Sequence, residues 1–241
     1  MQNKEIEILT KAYDAGIEEE ILRLETSLHG KTEFANVCNV IEKYIQKTSV
    51  VYDIGSGPGK YSELLLNKGH FVGSVDLSLK AINFLKTRIE NCDSKQILFH
   101  ETCCATQLDW IKSETADIVL LFGPMYHLTD EICRQKVIEN CNRILKKGGI
   151  LLSIFMSSHS ILFPELNQKT NSFDIEIFEK FVISYVLFQG FIVPQYRCLP
   201  NEAIAEFQNY FNKIETVNID KIENSDDKSH QFLVVFEKKS V

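Results

Sequence analysis

Val50-Val51-Tyr52-Asp53-Ile54-Gly55-Ser56-Gly57-Pro58-Gly59 is the stretch that decides the fold. Ser49–Ile54 is a short β-branched run with the character of a buried strand, and a glycine-rich turn follows it at once. Lys60–Asn67 then takes up helical spacing, with Gly69 as its stop. Glycines at alternate positions let the backbone turn sharply and approach a ligand without side-chain clash. The free N–H groups that open the next helix favour a carboxylate or phosphate. A dinucleotide turn of the GxGxxG type needs glycine at position 60, where this chain has Lys60. The spacing is GxGxG instead, with Asp53 two residues before Gly55. A carboxylate there suits a ligand bearing an ammonium group and repels a pyrophosphate.

Moving outward, Phe71–Val75 reads as a second strand and ends in Val75-Asp76-Leu77-Ser78. A carboxylate at this strand end can accept both hydroxyls of a ribose. Leu77 is placed to lie against an adenine face, and Ser78 to cap the helix that follows. The methionine part of S-adenosylmethionine carries an amine, a carboxylate and a sulfonium cation, which matches this acidic turn. Leu79–Glu90 is a helix, Gln96–Phe99 and Ala116–Phe122 are strands, Glu131–Leu145 is a helix, and Ile150–Phe155 is a further apolar strand. Such alternation implies a parallel sheet with helices on both faces.

The flanks are read more coarsely. Lys4–Leu28 has helical spacing, with Gly16 as a point to bend or split it, and Phe34–Ile45 repeats the pattern. Met156–Ser172 reads as loop or short helices, Ile175–Phe188 and Asn201–Phe211 as helices, and Lys213–Ile219 with Gln231–Phe236 as a hairpin tipped by Glu223–Lys228. With no internal repeat or low-complexity linker, one domain is expected. It comprises a helical cover (1–47), a cofactor-binding core (48–155), an aromatic-rich substrate insertion (156–196) and a C-terminal helix and hairpin (197–241).

Composition is that of an ordinary globular protein. The 241 residues are 44% hydrophobic and 24% charged, with a net charge of −7, which argues against a nucleic-acid scaffold. Met1–Thr10 has no apolar signal core, and no run of 18 apolar residues exists to span a membrane. Seven cysteines without a CxxC pair read as reduced thiols in a cytoplasm. His100, Cys103 and Cys104 offer three metal ligands with no obvious fourth, so no metal is expected.

These motifs together resemble the class I, Rossmann-like S-adenosylmethionine-dependent methyltransferases, over about Lys47–Phe155. The family's glycine motif corresponds to Asp53, Gly55, Ser56, Gly57 and Gly59, and its acidic second-strand position to Asp76. Phe122-Gly123-Pro124-Met125-Tyr126-His127-Leu128 resembles the fourth-strand motif of a bacterial small-molecule subgroup. Tyr13-Asp14 and Arg23 resemble that subgroup too, and Arg143–Leu151 resembles the lead-in to the fifth strand. The resemblance implies a three-layer α/β fold with a seven-stranded, mostly parallel sheet whose last strand is antiparallel. Where the family places an acid after the third strand to receive the adenine amino group, this chain has Cys104. A thiol is a poor acceptor, which leaves backbone groups of Ala105 and Thr106, or a water, to hold adenine.

The expected cofactor is S-adenosylmethionine, held by Asp53, the Gly55–Gly59 turn, Asp76, Leu77, Cys104, Ala105, Thr106, Phe122 and Gly123. The expected partner is a small-molecule acceptor methylated on oxygen or nitrogen. His127, just past the fourth strand, is the candidate base, Tyr126 a candidate to orient the acceptor, and Tyr13 a further acceptor contact. Of the insertion's rings, Phe155, Phe163, Phe173, Phe178, Phe181, Tyr185, Phe188, Phe191 and Tyr196, most are expected to pack against the sheet and two or three to face the ligand. RNA or protein methylation would call for a basic surface or an added domain. A non-catalytic cofactor-binding module would have little need of an intact glycine turn and Asp76. Neither the acceptor nor the oligomeric state is legible in the chain.

Overall fold

The computed structural model describes residues 3–158, 172–177, 181–220 and 230–240. Helices α1 (Asn3–Ala15), α2 (Ile17–Thr26) and α3 (Leu28–Tyr44) come first, so Gly16 splits the long N-terminal helical pattern. The core follows as β1 (Val50–Ile54), α4 (Lys60–Asn67), β2 (Phe71–Asp76), α5 (Leu79–Arg88), β3 (Ile97–Thr102), β4 (Ala116–Leu121), the single-turn α6 (Pro124–His127), α7 (Glu131–Ile144) and β5 (Leu145–Ser157). The rest is β6 (Ser172–Ile177), β7 (Phe181–Phe188), β8 (Phe191–Cys198), α8 (Pro200–Phe207), β9 (Phe211–Asn218) and β10 (Gln231–Lys238). The tip at 223–228 lies outside the described residues.

Seven strands run β3-β2-β1-β4-β5-β10-β9, and β10 is antiparallel to both its neighbours. Strands buried on two faces need apolar residues at every position. Accordingly, Tyr52, Ile54 and Leu151 join α7 residues such as Val137 and Cys141 in one cluster, and Val51, Leu120 and Leu152 join Val40, Ile41 and Leu65 in the other. These are the two helical layers on either side of the sheet.

Register fixes where the site must lie. Ile54 pairs with Val75 on one side and Leu121 on the other, and Asp76 pairs with Thr102. The glycine turn, Asp76, Cys103 and Phe122 therefore leave the sheet along one carboxyl edge. β1 sits where the strand order reverses, the crevice at which open α/β sheets bind ligands.

The insertion corrects the sequence reading. In place of a helix over Ile175–Phe188, the described residues 175–177 and 181–188 are strands: β6, β7 and β8 form an antiparallel meander. The signal was a hairpin, Phe188-Gln189-Gly190-Phe191, with φ of 51° at Gln189 and 80° at Gly190. Two left-handed residues make the primed two-residue turn that matches strand twist, and glutamine in place of the usual Asn or Asp hid it. Residues 159–171, including Phe163, and residue 178 lie outside the described residues. The helix expected over Asn201–Phe211 is also shorter, because Phe211 already pairs with Lys238 at the start of β9.

The meander is attached at Met156↔Arg197 and Ser157↔Cys198. Met156 also pairs with Gln231 on β10, and β4 follows the other edge of β5 only as far as Ser153. So β8 takes the free edge of β5 beyond the end of β4, directly over Phe122–His127.

Candidate active site

A cavity of about 310 Å³ opens on the carboxyl edge of the sheet, at the lower end of the range for small-molecule sites. Its floor is the glycine turn. Gly55, Gly57 and Gly59 have φ of 82°, 52° and 82°. A Cβ on Gly57 would meet nothing within 4 Å, so this residue is glycine for its left-handed backbone, and its surface stays open to a ligand. The turn is held from beneath: Gly55 N and Ser56 N donate to the Val75 carbonyl at 2.8 and 3.0 Å. Lys60, which breaks the dinucleotide pattern, turns aside to Glu25 at 2.9 Å.

Asp76 is fixed by two backbone donors, Gly57 N to Oδ2 and Ser78 N to Oδ1, both at 2.8 Å. It ties the turn to the start of α5 and keeps further lone pairs for a ligand. Burial pushes its carboxyl up to about 6 against the pull of these N–H groups. Ser78 caps α5 as expected, accepting from Ala81 N at 3.0 Å, and its hydroxyl also reaches Asp14.

Asp53 lies behind the turn rather than on the cavity wall. Its side chain is 1% exposed and is no part of the cavity wall. Because β1 alternates faces, the carboxyl points behind the turn, where Oδ2 accepts from Ser62 Oγ at 2.6 Å and Ser62 reaches Ser74 at 2.9 Å. Oδ1 has no partner among the described residues, and burial raises the group to about 7. A direct contact with a ligand's ammonium does not fit this placement.

After β3, Cys103, Cys104 and Ala105 line the cavity and Thr106 does not. The carbonyls of Ala105 and Thr106 are taken by Asn140 Nδ2, each at 3.3 Å, and Thr106 Oγ1 turns to Cys104 Sγ. Leu77, Phe122, Gly123 and Tyr126 all reach the wall.

Tyr13, Tyr126 and His127 come together. Tyr13 Oη lies 2.6 Å from His127 Nε2, and the rings of Tyr126 and His127 are 4.6 Å apart. Burial holds His127 down at about 4, so it is neutral at ordinary pH. Its Nδ1 faces the Pro194 carbonyl, short of full hydrogen-bond geometry. The Nδ1–H tautomer leaves Nε2 as the lone pair that accepts the Tyr13 proton.

Sequence reasoning missed two features. Arg23, noted only for its resemblance, reaches the cavity and donates to Glu33 at 2.7 Å and Glu20 at 3.1 Å. Glu33 is 5% exposed on α3, and nothing in the helical pattern distinguishes it from a surface glutamate. The second is the β7–β8 face, whose Val186, Phe188, Val193 and Gln195 close the far side. No helix among the described residues is long and apolar enough to cross a membrane.

Comparison with known proteins agrees with this geometry. Residues 51–149 match the model of a family described as a methyltransferase domain. A ubiquinone biosynthesis O-methyltransferase from Coxiella burnetii is 29% identical over 128 residues, 51% of this chain and 52% of the relative; the chain thus spans about half the length of the curated relatives it matches. The fold is shared with the Burkholderia thailandensis 1,6-didemethyltoxoflavin-N1-methyltransferase, solved with 1,6-didemethyltoxoflavin and S-adenosylhomocysteine (TM-score 0.70, 12% identity, 100% of this chain and 91% of that one). It is shared also with the N-methyltransferase NodS of Bradyrhizobium japonicum in complex with S-adenosylhomocysteine (TM-score 0.63, 13% identity, 90% of each chain). Residues 51–149 are thus similar to a methyltransferase domain, on a fold shared with methyltransferases solved with S-adenosylhomocysteine.

Proposed function

We propose that the protein transfers the methyl group of S-adenosylmethionine to an oxygen or nitrogen of a small-molecule acceptor. The observation that carries this reading is one cavity lined both by Asp76 and the open glycine turn and by the Tyr13–His127 pair. The residues present suit the cofactor. Asp76 accepts from ribose hydroxyls, Leu77 covers an adenine face, and Cys104 and Ala105 border the base. Arg23 offers a cation to the methionine carboxylate, and the surrounding carboxylates favour a doubly cationic ligand.

When bound, the cofactor supplies a methyl group on sulfonium, and the acceptor's lone pair displaces a neutral thioether. Alignment of nucleophile and methyl group supplies much of the rate. The chain's own contribution is to hold both ends, exclude water and receive the acceptor's proton. With Nε2 of His127 already capped, the proton goes to Tyr13 Oη as the Tyr13 proton moves to His127. Tyr126, beside this pair, orients the acceptor. Within one domain, helices α1–α3 act as a cover and strands β7 and β8 as the described part of a substrate insertion.

The names of the similar proteins divide between O- and N-methylation, so the acceptor atom is left as either. Incubation of the protein with methyl-labelled S-adenosylmethionine and a metabolite extract tests the reading. Label is expected in a small molecule. Label confined to RNA or protein, or no transfer at all, would overturn it.

A further inference from the structure

The acceptor end of the cavity has one polar group whose orientation is settled by its neighbour. Gln195 lies on β8, two residues before Arg197, and the two side chains share one face of the strand. Arg197 is 5% exposed; its Nε donates to Ser184 Oγ at 2.9 Å and its Nη2 to Gln195 Oε1 at 2.8 Å. A guanidinium has donors and no acceptor, so it can face only the oxygen of an amide. That fixes the amide the other way round: Nε2, with two N–H donors, has no hydrogen-bond partner among the described residues, and Gln195 is part of the cavity wall.

Toward the hairpin tip its face of the meander turns apolar. Gln195 pairs with Ser184 across the hairpin, and the next pair on the same face is Val186↔Val193. Phe188 continues that face toward Tyr13, with ring centroids 5.4 Å apart. Of the described residues, β7 and β8 give the cavity no charged side chain. Pro194, beside Gln195, is the residue whose carbonyl faces His127 Nδ1. The amide and the Tyr13–His127 pair therefore serve the same end of the cavity.

We infer that the acceptor is a neutral, largely apolar ring compound bearing a carbonyl oxygen or ring nitrogen, and that Gln195 selects it by donating an amide N–H to that atom. The inference rests on the transferase reading above. A buried donor left unpaired by an analogue lacking the acceptor atom is costly, so this one contact discriminates strongly.

The test uses the full chain saturated with S-adenosylhomocysteine and two probes of like shape: coumarin, which has a ring carbonyl, and 1,2-dihydronaphthalene, which has none. Binding is followed by ligand-observed NMR titration. Coumarin is expected to bind at least about tenfold more tightly, as one hydrogen bond of about 1.4 kcal/mol requires. Gln195→Glu keeps an oxygen for Arg197 and removes the donor, and Gln195→Leu removes both. Each should abolish the preference while S-adenosylhomocysteine affinity, measured by calorimetry, stays within a few-fold. Equal binding of the probes, binding of neither, or a preference that survives in Gln195→Glu overturns the inference. Failure of the unaltered protein to bind S-adenosylhomocysteine at all would instead overturn the transferase reading.

Discussion

The Tyr13 hydroxyl stands 2.6 Å from His127 Nε2, a hydrogen bond that joins α1 to α6 across 114 positions of the chain. It closes the N-terminal helices over the carboxyl edge of the sheet and sets the lone pairs of Tyr13 Oη beside the cavity. Tyr13→Phe keeps the ring and removes the relay. Turnover at saturating substrates should fall about 10–100-fold, and His127→Asn should lower it by at least about a hundredfold. In both variants cofactor affinity should stay within a few-fold. Collapse of that affinity would move the pair into the cofactor site.

Acidity separates two groups of the cavity, His127 and Asp76. His127, held at about 4, stays neutral through the physiological range, so turnover at saturating cofactor should show no inflection near pH 6.5. Asp76, raised to about 6, is partly protonated below that pH, and a cationic ligand prefers the ionised form. Affinity for S-adenosylmethionine should therefore rise from pH 5 to pH 7.5, by up to about tenfold per unit below the pKa. Calorimetry across that range in buffers of different ionisation heat would also detect the released proton. A flat affinity profile would refute the assignment.

The same burial has a stability consequence of definite sign. The folded pKa values of Asp53 and Asp76, about 7 and 6, lie above their unfolded values. Their contribution is fully present below about pH 4 and is lost as pH rises through 6 and 7. His127 acts oppositely: its contribution is present above about 6.5 and is lost as pH falls toward 4. Asp53→Asn should therefore flatten the fall in Tm of the cofactor-free protein between pH 5 and 8. An unchanged slope would exclude Asp53 as its source.

Asp76→Ala should weaken cofactor binding by about 1–3 kcal/mol, the scale of lost charge-assisted hydrogen bonds. The Tm of the free protein should fall less than this implies, because water in the open cavity can serve Gly57 N and Ser78 N. A large Tm loss with intact cofactor affinity would make Asp76 a structural residue.

Arg23 and Glu33 test a different coupling. Arg23→Ala leaves the buried Glu33 carboxylate without its 2.7 Å partner and should destabilise the protein by about 1–2 kcal/mol, less than a fully buried pair since the Arg23 side chain is 39% exposed. Adding Glu33→Gln should restore stability and leave cofactor affinity low. Recovery of affinity in the double variant would contradict a role for Arg23 at the methionine carboxylate.

What the sequence disclosed follows from how each signal is written. The turn at Gly55–Gly59 and the strand end at Asp76 are local patterns, and register carries them to the same edge without further information. Asp53 was legible as an acid in the turn, but its direction depends on strand parity and on Ser62, nine residues later. The meander was misread because aromatic-rich strands and buried helices share a composition, and the deciding evidence was two left-handed residues at Gln189 and Gly190. Gln195 was illegible altogether, since its meaning comes from Arg197 and a cavity assembled by distant segments.

The meander meets the sheet at two register pairs, Met156↔Arg197 and Ser157↔Cys198, and meets the N-terminal helices where Gly16 lies against Phe188. A side chain at position 16 would place its Cβ 2.4 Å from the Phe188 ring. The glycine turn and Asp76 belong to β1, β2 and the loops after them, so the roof and the reagent-holding floor are built from separate elements. Selectivity in such a protein is free to drift by hairpin replacement while the methyl donor stays constant, and grafting 172–198 from a structural relative is the direct way to exchange one clientele for another.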